Sequence, residues 1–98
     1  MSAYVISEVE MRDPDGFEAY RTLAAKTIAQ YGGRYLVRGG KVDLAEGNLP
    51  PKAIVIVEFE SMARLKEWYA SPDYAEALKI RAGALERRLL FVEGVPEM

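Results

Sequence analysis

The chain has 98 residues, half of them apolar and 29% charged, which fits one globular domain and excludes both a two-domain and a disordered chain. Lys/Arg and Asp/Glu intermix to a net charge of −2, so no basic stripe exists for a phosphate backbone and nucleic acid is not an expected partner. With no cysteine and no histidine, disulfides, thiol nucleophiles, Ser-His-Asp triads and Cys- or His-ligated metal or haem are excluded, and neither a metal nor a cofactor is expected.

Ala3 to Met11 alternates with period two and reads as a strand: Val5, Ser7, Val9 and Met11 share one parity, Tyr4, Ile6, Glu8 and Glu10 the other. Asp13-Pro14 starts a helix, with Asp as N-cap and Pro at the first position. Phe17, Tyr20, Ala24, Ile28 and Tyr31 follow at helical spacing, and Gly32-Gly33 ends it. Arg34 to Arg38 is strand-like; Gly39-Gly40 marks a bulge or bend, with Lys41 to Leu44 continuing the pairing. Glu46 to Lys52 is a loop by composition, and Ala53 to Phe59 a β-branched strand. Ser61 caps a short helix carrying Met62, Leu65, Trp68 and Tyr69. Ser71-Pro72 restarts it along Tyr74, Ala77, Leu78, Arg81 and Leu85. A last strand runs from Arg87 to Glu93, and the tail from Gly94 to Met98 is irregular.

The N-terminal residues show no basic region followed by an apolar stretch, and no apolar run is long enough to span a bilayer. A cytoplasmic protein is expected, with no membrane as partner.

The order β-α-β-β-α-β, with the second helix broken in two, predicts one α+β domain over residues 1–98 with a ferredoxin-like four-stranded antiparallel sheet. Right-handed crossovers put the helices on one face. The uncovered face is substantially apolar, because Tyr4, Ile6, Ile54 and Ile56 join an apolar last strand. A monomer seldom exposes such a patch. A two-fold homodimer through the open sheet face is therefore expected, burying on the order of 800 Å² per chain.

Several segments also resemble a known family: Tyr-Val-Ile-Ser-Glu-Val at 4–9, Gly-Gly-Arg-Tyr-Leu-Val-Arg-Gly-Gly at 32–40, Val-Ile-Val-Glu-Phe at 55–59, Trp-Tyr-Ala-Ser-Pro-Asp-Tyr at 68–74 and Leu-Phe-Val-Glu-Gly-Val at 90–95. Together they resemble the domain-of-unknown-function family thirteen-thirty of the dimeric α/β-barrel superfamily. The resemblance implies a ferredoxin-like protomer and a barrel-like dimer, and no established activity. Superfamily relatives range from cofactor-free monooxygenases and isomerase-like enzymes to haem-handling proteins and binding modules, so the fold leaves the reaction open.

Carboxylate, arginine, lysine and tyrosine chemistry remains. Glu8 and Glu58 have the parity of the open face, where neighbouring strands would set them side by side as an acid/base pair; the plain alternative is two solvated or Arg-paired strand-end carboxylates. Tyr4 shares that face. Arg34 and Arg38 flank Leu36 on one parity of the second strand. With that parity inward they would neutralise the glutamates or hold an anion, whereas the opposite assignment puts Tyr35 and Val37 inside; edge-strand charge that discourages pairing is the plain alternative. Arg81, on an apolar helical stripe, wants a carboxylate or ligand, unless its stem packs while its head reaches water. Trp68, Tyr69 and Tyr74 are core residues or a pocket lining. The favoured reading is a homodimeric module binding a small organic or anionic molecule in the cleft between sheet and helices. A cofactor-independent enzyme in that cleft and a purely structural role are the alternatives.

Overall fold

A computed structural model describes residues 1–96. β1 (Ala3–Met11) leads through Asp13, whose carboxylate accepts the Gly16 N–H at 3.3 Å, into α1 (Pro14–Gln30). That bond satisfies one of the helix's orphan donors. Gly32 takes φ +78°, and a Cβ at Gly33 would come within 2.8 Å of both Ile28 and Phe59. The exit from α1 can therefore lie against the core only with glycine there. β2 (Arg34–Arg38) and β3 (Ala53–Phe59) follow. α2 (Met62–Tyr69) and α3 (Pro72–Ala84) are capped by Ser61 and Ser71, each accepting a backbone N–H at 3.1 Å. β4 (Leu85–Glu93) closes the chain.

The sheet order is β2-β3-β1-β4, with every neighbouring pair antiparallel. This is the ferredoxin-like α+β architecture expected from the element order. Among the described residues, no helix is long and apolar enough to cross a membrane.

Two expectations need correction, and one feature of β2 is unanticipated. Lys41 to Leu44 does not pair: the Gly39 N–H donates to the Ile54 carbonyl at 2.9 Å, and residues 40–52 then run without regular structure. Gly39 has φ +73°, which turns the chain away from β3. Leu85 belongs to β4, because its backbone is already extended at φ −155°. Gly39 makes the bend that is one of the two expectations there, while an unexpected β-bulge lies earlier, between Tyr35 and Val37. One consequence is large: a bulge shifts all later residues of a strand to the opposite face. Gly94 to Pro96 lack regular structure, and the last two residues of the expected tail lie outside the described ones.

Cross-strand partners fix the two faces. Ala3, Val5, Ser7 and Val9 of β1, with Val57 and Phe59 of β3, are buried beneath the helices. Tyr4, Ile6 and Glu8, with Ile54, Ile56, Glu58, Leu90 and Val92, share the other face. The core between sheet and helices centres on Trp68, which lies 4.2 Å from the Tyr74 ring and 5.3 Å from the Phe59 ring. Its indole N–H donates to Thr27 Oγ1 at 3.0 Å, and the Thr27 hydroxyl donates to the Ala24 carbonyl at 2.9 Å. Every polar atom of that buried chain is therefore partnered.

Candidate functional site

Beside Trp68 the packing between the sheet and α1 is incomplete, leaving a cavity of about 270 Å³. Its floor is apolar, formed by Val5, Val57, Ile28 and Trp68, all nearly inaccessible to solvent. Exposed Arg38, Gly39 and Ala53 ring its mouth, where β2 ends and β3 begins, with Arg21 of α1 opposite. A largely apolar space with a few converging polar groups is the usual form of a small-molecule site.

The polar groups have one sign. Arg87 projects from the helix-covered face of β4, among Leu85, Leu89 and Phe91. It donates from Nη1 to Tyr20 Oη at 2.6 Å and from Nη2 to Tyr74 Oη at 2.9 Å. The two hydroxyls lie 2.6 Å apart and share a hydrogen bond. Burial holds the Tyr74 hydroxyl protonated well above the ordinary tyrosine range, despite the nearby guanidinium. Tyr74 is fully buried and Tyr20 lines the cavity. If Tyr74 donates to Tyr20, the Tyr20 O–H is free to point into the cavity. Among the described residues no aspartate or glutamate lines the space. Arg38 stacks 4.5 Å from the Tyr35 ring, and burial likewise raises the Tyr35 hydroxyl.

Ser7 sits at the centre of the floor. Its Oγ is buried and has no hydrogen-bond partner, an arrangement that costs about 1–3 kcal/mol in a closed core. Register places Ser7 opposite Leu89 on one side and Val55 on the other, with Arg38 beyond Val55 and Arg87 one pair along from Leu89. The serine thus lies between two edge-strand arginines.

Of the residues singled out from the sequence, Arg38 lines this cavity. The bulge separates it from Arg34: Arg34 pairs with Glu58 on the open face, whereas Arg38 pairs with Val55 on the covered one. The expected single parity for the two arginines is therefore corrected. On the open face Arg34 Nε donates to Glu58 Oε1 at 2.7 Å and Tyr4 Oη to Glu58 Oε2 at 3.2 Å. Chiefly the Arg34 hydrogen bond holds the Glu58 carboxyl below the usual glutamate range. Glu8 pairs across the sheet with Ile54, not Glu58, which puts the two carboxylates roughly 13 Å apart along the strands. They do not form the expected side-by-side pair; Glu8 instead meets Arg88 at 3.8 Å. Arg81 on α3 lies outside the cavity lining, and its Nε is buried without a hydrogen-bond partner. Sequence reasoning missed Arg87, Tyr20 and Ser7 as site residues. The available signal was a polar residue on an apolar strand parity: Ser7 among Val5 and Val9, Arg87 among Leu85 and Leu89.

The model of the family described as a domain of unknown function (DUF1330) matches residues 2–95. The chain belongs to this family. No curated protein matches the DUF1330 chain. Among solved structures it is similar to a protein of unknown function from Rhodopseudomonas palustris, with TM-score 0.78, 22% identity and coverage of 98% of this chain and 84% of that one. A dimeric ferredoxin-like protein of unknown function from Thermobifida fusca matches with TM-score 0.61, 22% identity, and coverage of 93% and 89%. SnoaB, a cofactor-independent oxygenase from Streptomyces nogalater, matches with TM-score 0.65, 10% identity, and coverage of 99% and 96%. At these identities the likeness concerns the fold, which the DUF1330 chain shares along nearly its whole length.

Proposed function

We propose that the chain is a homodimeric module that binds a small organic molecule in the cavity between the sheet and α1. The observation that carries this reading is the cavity itself: an apolar floor within an otherwise close-packed core, onto which Ser7, Tyr20 and Arg87 converge. Native interiors rarely keep such a void beside an unpartnered hydroxyl. A second copy of the chain is the proposed occupant of the open sheet face. There Ile6, Ile54 and Ile56 adjoin Leu90 and Val92, which stay 38% and 41% exposed. The charged groups of that face are already paired within the protomer, so they can be covered without stranding a charge. The dimeric description of the Thermobifida fusca protein supports the same reading.

A thermal-shift screen of small aromatic and aliphatic compounds tests the cavity, with Ala53→Trp as the control. Ala53 is exposed at the mouth, so an indole there blocks entry without disturbing the core. Hits that raise Tm in the parent chain and not in Ala53→Trp are expected; hits indifferent to the plug, or none at all, overturn the binding reading. Sedimentation at micromolar concentration tests the dimer.

A cofactor-independent reaction in the same cavity is the second reading. The Tyr20 hydroxyl favours it, since it accepts from Arg87 and lies 2.6 Å from a second hydroxyl, an arrangement suited to holding an oxyanion. Among the described residues the cavity lining offers no carboxylate to take a proton, which is why binding is preferred.

A further inference from the structure

Among the described residues three cations and no anion line the cavity: Arg87 inside, and Arg21 and Arg38 at its mouth, Arg21 being paired with Glu18 at 3.4 Å outside the lining. Arg87 is the most informative. A guanidinium carries five N–H donors, and two of them go to neutral tyrosine hydroxyls. Its positive charge has no carboxylate partner among the described residues, although it is half-buried on an apolar strand face. A buried charge is ordinarily paired, so the missing counter-charge is a property of the site. Around it stand groups able to donate hydrogen bonds: the remaining guanidinium N–H groups, the unpartnered Ser7 hydroxyl and, when Tyr74 donates to Tyr20, the Tyr20 hydroxyl. Next to these donors the wall is wholly apolar, formed by Val5, Val55 and Val57.

We propose that the ligand is a flat apolar organic acid, whose carboxylate or enolate oxygens are held by Arg87, Tyr20 and Ser7 while its hydrocarbon body lies over Val5, Val55 and Val57. This rests on the cavity being a binding site and names the chemical class that fits it. The anion supplies the counter-charge that Arg87 lacks and an acceptor for the Ser7 hydroxyl. Arg38, stacked on the Tyr35 ring at the mouth, attracts the same charge from solution, whereas the Arg21 charge is offset by Glu18. A cationic ligand is disfavoured at every one of these positions.

Two probes of one shape separate the class from the site: 2-naphthoate and its neutral amide, 2-naphthamide. Binding is read by calorimetry and by quenching of Trp68, the chain's single tryptophan, which lines the cavity. The expected result is naphthoate binding at least tenfold more tightly than the amide. That preference should be lost in Arg87→Gln, reduced severalfold in Ser7→Ala and retained in Arg87→Lys, with both probes excluded by Ala53→Trp. Arg38→Gln, at an exposed position, should slow association of naphthoate severalfold more than that of the amide. Equal binding of both probes, both blocked by Ala53→Trp, overturns the anion class and leaves the binding site standing. Failure of both probes overturns the anion proposal as framed. The binding reading falls with it only if the wider compound screen is also empty.

Discussion

The two faces of one sheet treat charge in opposite ways. On the open face Arg34 meets Glu58 at 2.7 Å and Arg88 meets Glu8 at 3.8 Å. Alternate residues of the same strands, turned towards the helices, place Arg38 and Arg87 against aromatic rings and hydroxyls with no carboxylate. The open face is electrically complete and apolar in the remainder, so what it lacks is a surface. The covered face holds the cavity lined by Arg38 and Arg87, the site of the proposed anionic ligand. Because side chains alternate along a strand, neighbouring residues have been shaped by two unrelated demands.

The largest expected effect concerns folding. Trp68 joins α2 to Phe59, Tyr74 and Thr27, so Trp68→Ala should cost the protomer about 3–5 kcal/mol, read by far-UV circular dichroism in urea. Loss of under about 1 kcal/mol would mean that the covered face is not the seat of stability. Next is association. Leu90 is 38% exposed in the protomer, so Leu90→Asp should leave the fold intact and weaken self-association by about a hundredfold, or ~2.7 kcal/mol. Sedimentation equilibrium checks it, and an unchanged association constant removes the open face as the contact.

Legibility in the sequence followed the same division. Caps, helical stripes and strand parity are local, so Asp13, Ser61, Ser71 and the element order are readable from the residues alone, as is the apolar character of both faces. The site is not, for two physical reasons. A bulge at Leu36 leaves no compositional mark in Arg-Tyr-Leu-Val-Arg, and the conspicuous glycines draw the expected irregularity three residues downstream; with it goes the facing of Arg38. Arg87 looks like the polar start of a strand, because the length of β4 depends on pairing with Met11 and Glu10, a long-range contact. Ser7 is visible as the one hydroxyl on an apolar parity, but only the cavity beside it gives that meaning.

A smaller effect sharpens the comparison by its sign. Arg87→Met removes a cation without a counter-charge and leaves the Tyr20–Tyr74 hydrogen bond in place. The unliganded chain should gain about 1 kcal/mol in urea unfolding, as sites kept for binding often sacrifice stability. A loss of similar size would instead make Arg87 a strut between β4 and the helices.

The smallest effect is a pH dependence confined to the open face. Arg34 holds the Glu58 carboxyl below its ordinary value of 4.5, so the folded chain binds that proton less readily than the unfolded one. A depressed carboxyl contributes stability that is complete above the unfolded value and disappears as pH falls through the folded one. Glu58→Gln should therefore be slightly less stable than the parent at pH 7, by the modest amount expected of a pair whose arginine is exposed. The two unfolding midpoints should converge as pH falls below 4.5. A difference that persists unchanged at pH 3 would show that the ion pair is not what separates them. The Arg87→Met difference should stay flat over the same range, because neither a guanidinium nor a tyrosine hydroxyl titrates there. One acid titration thus reads both faces: it responds where a carboxylate completes the charge and is silent where none is present.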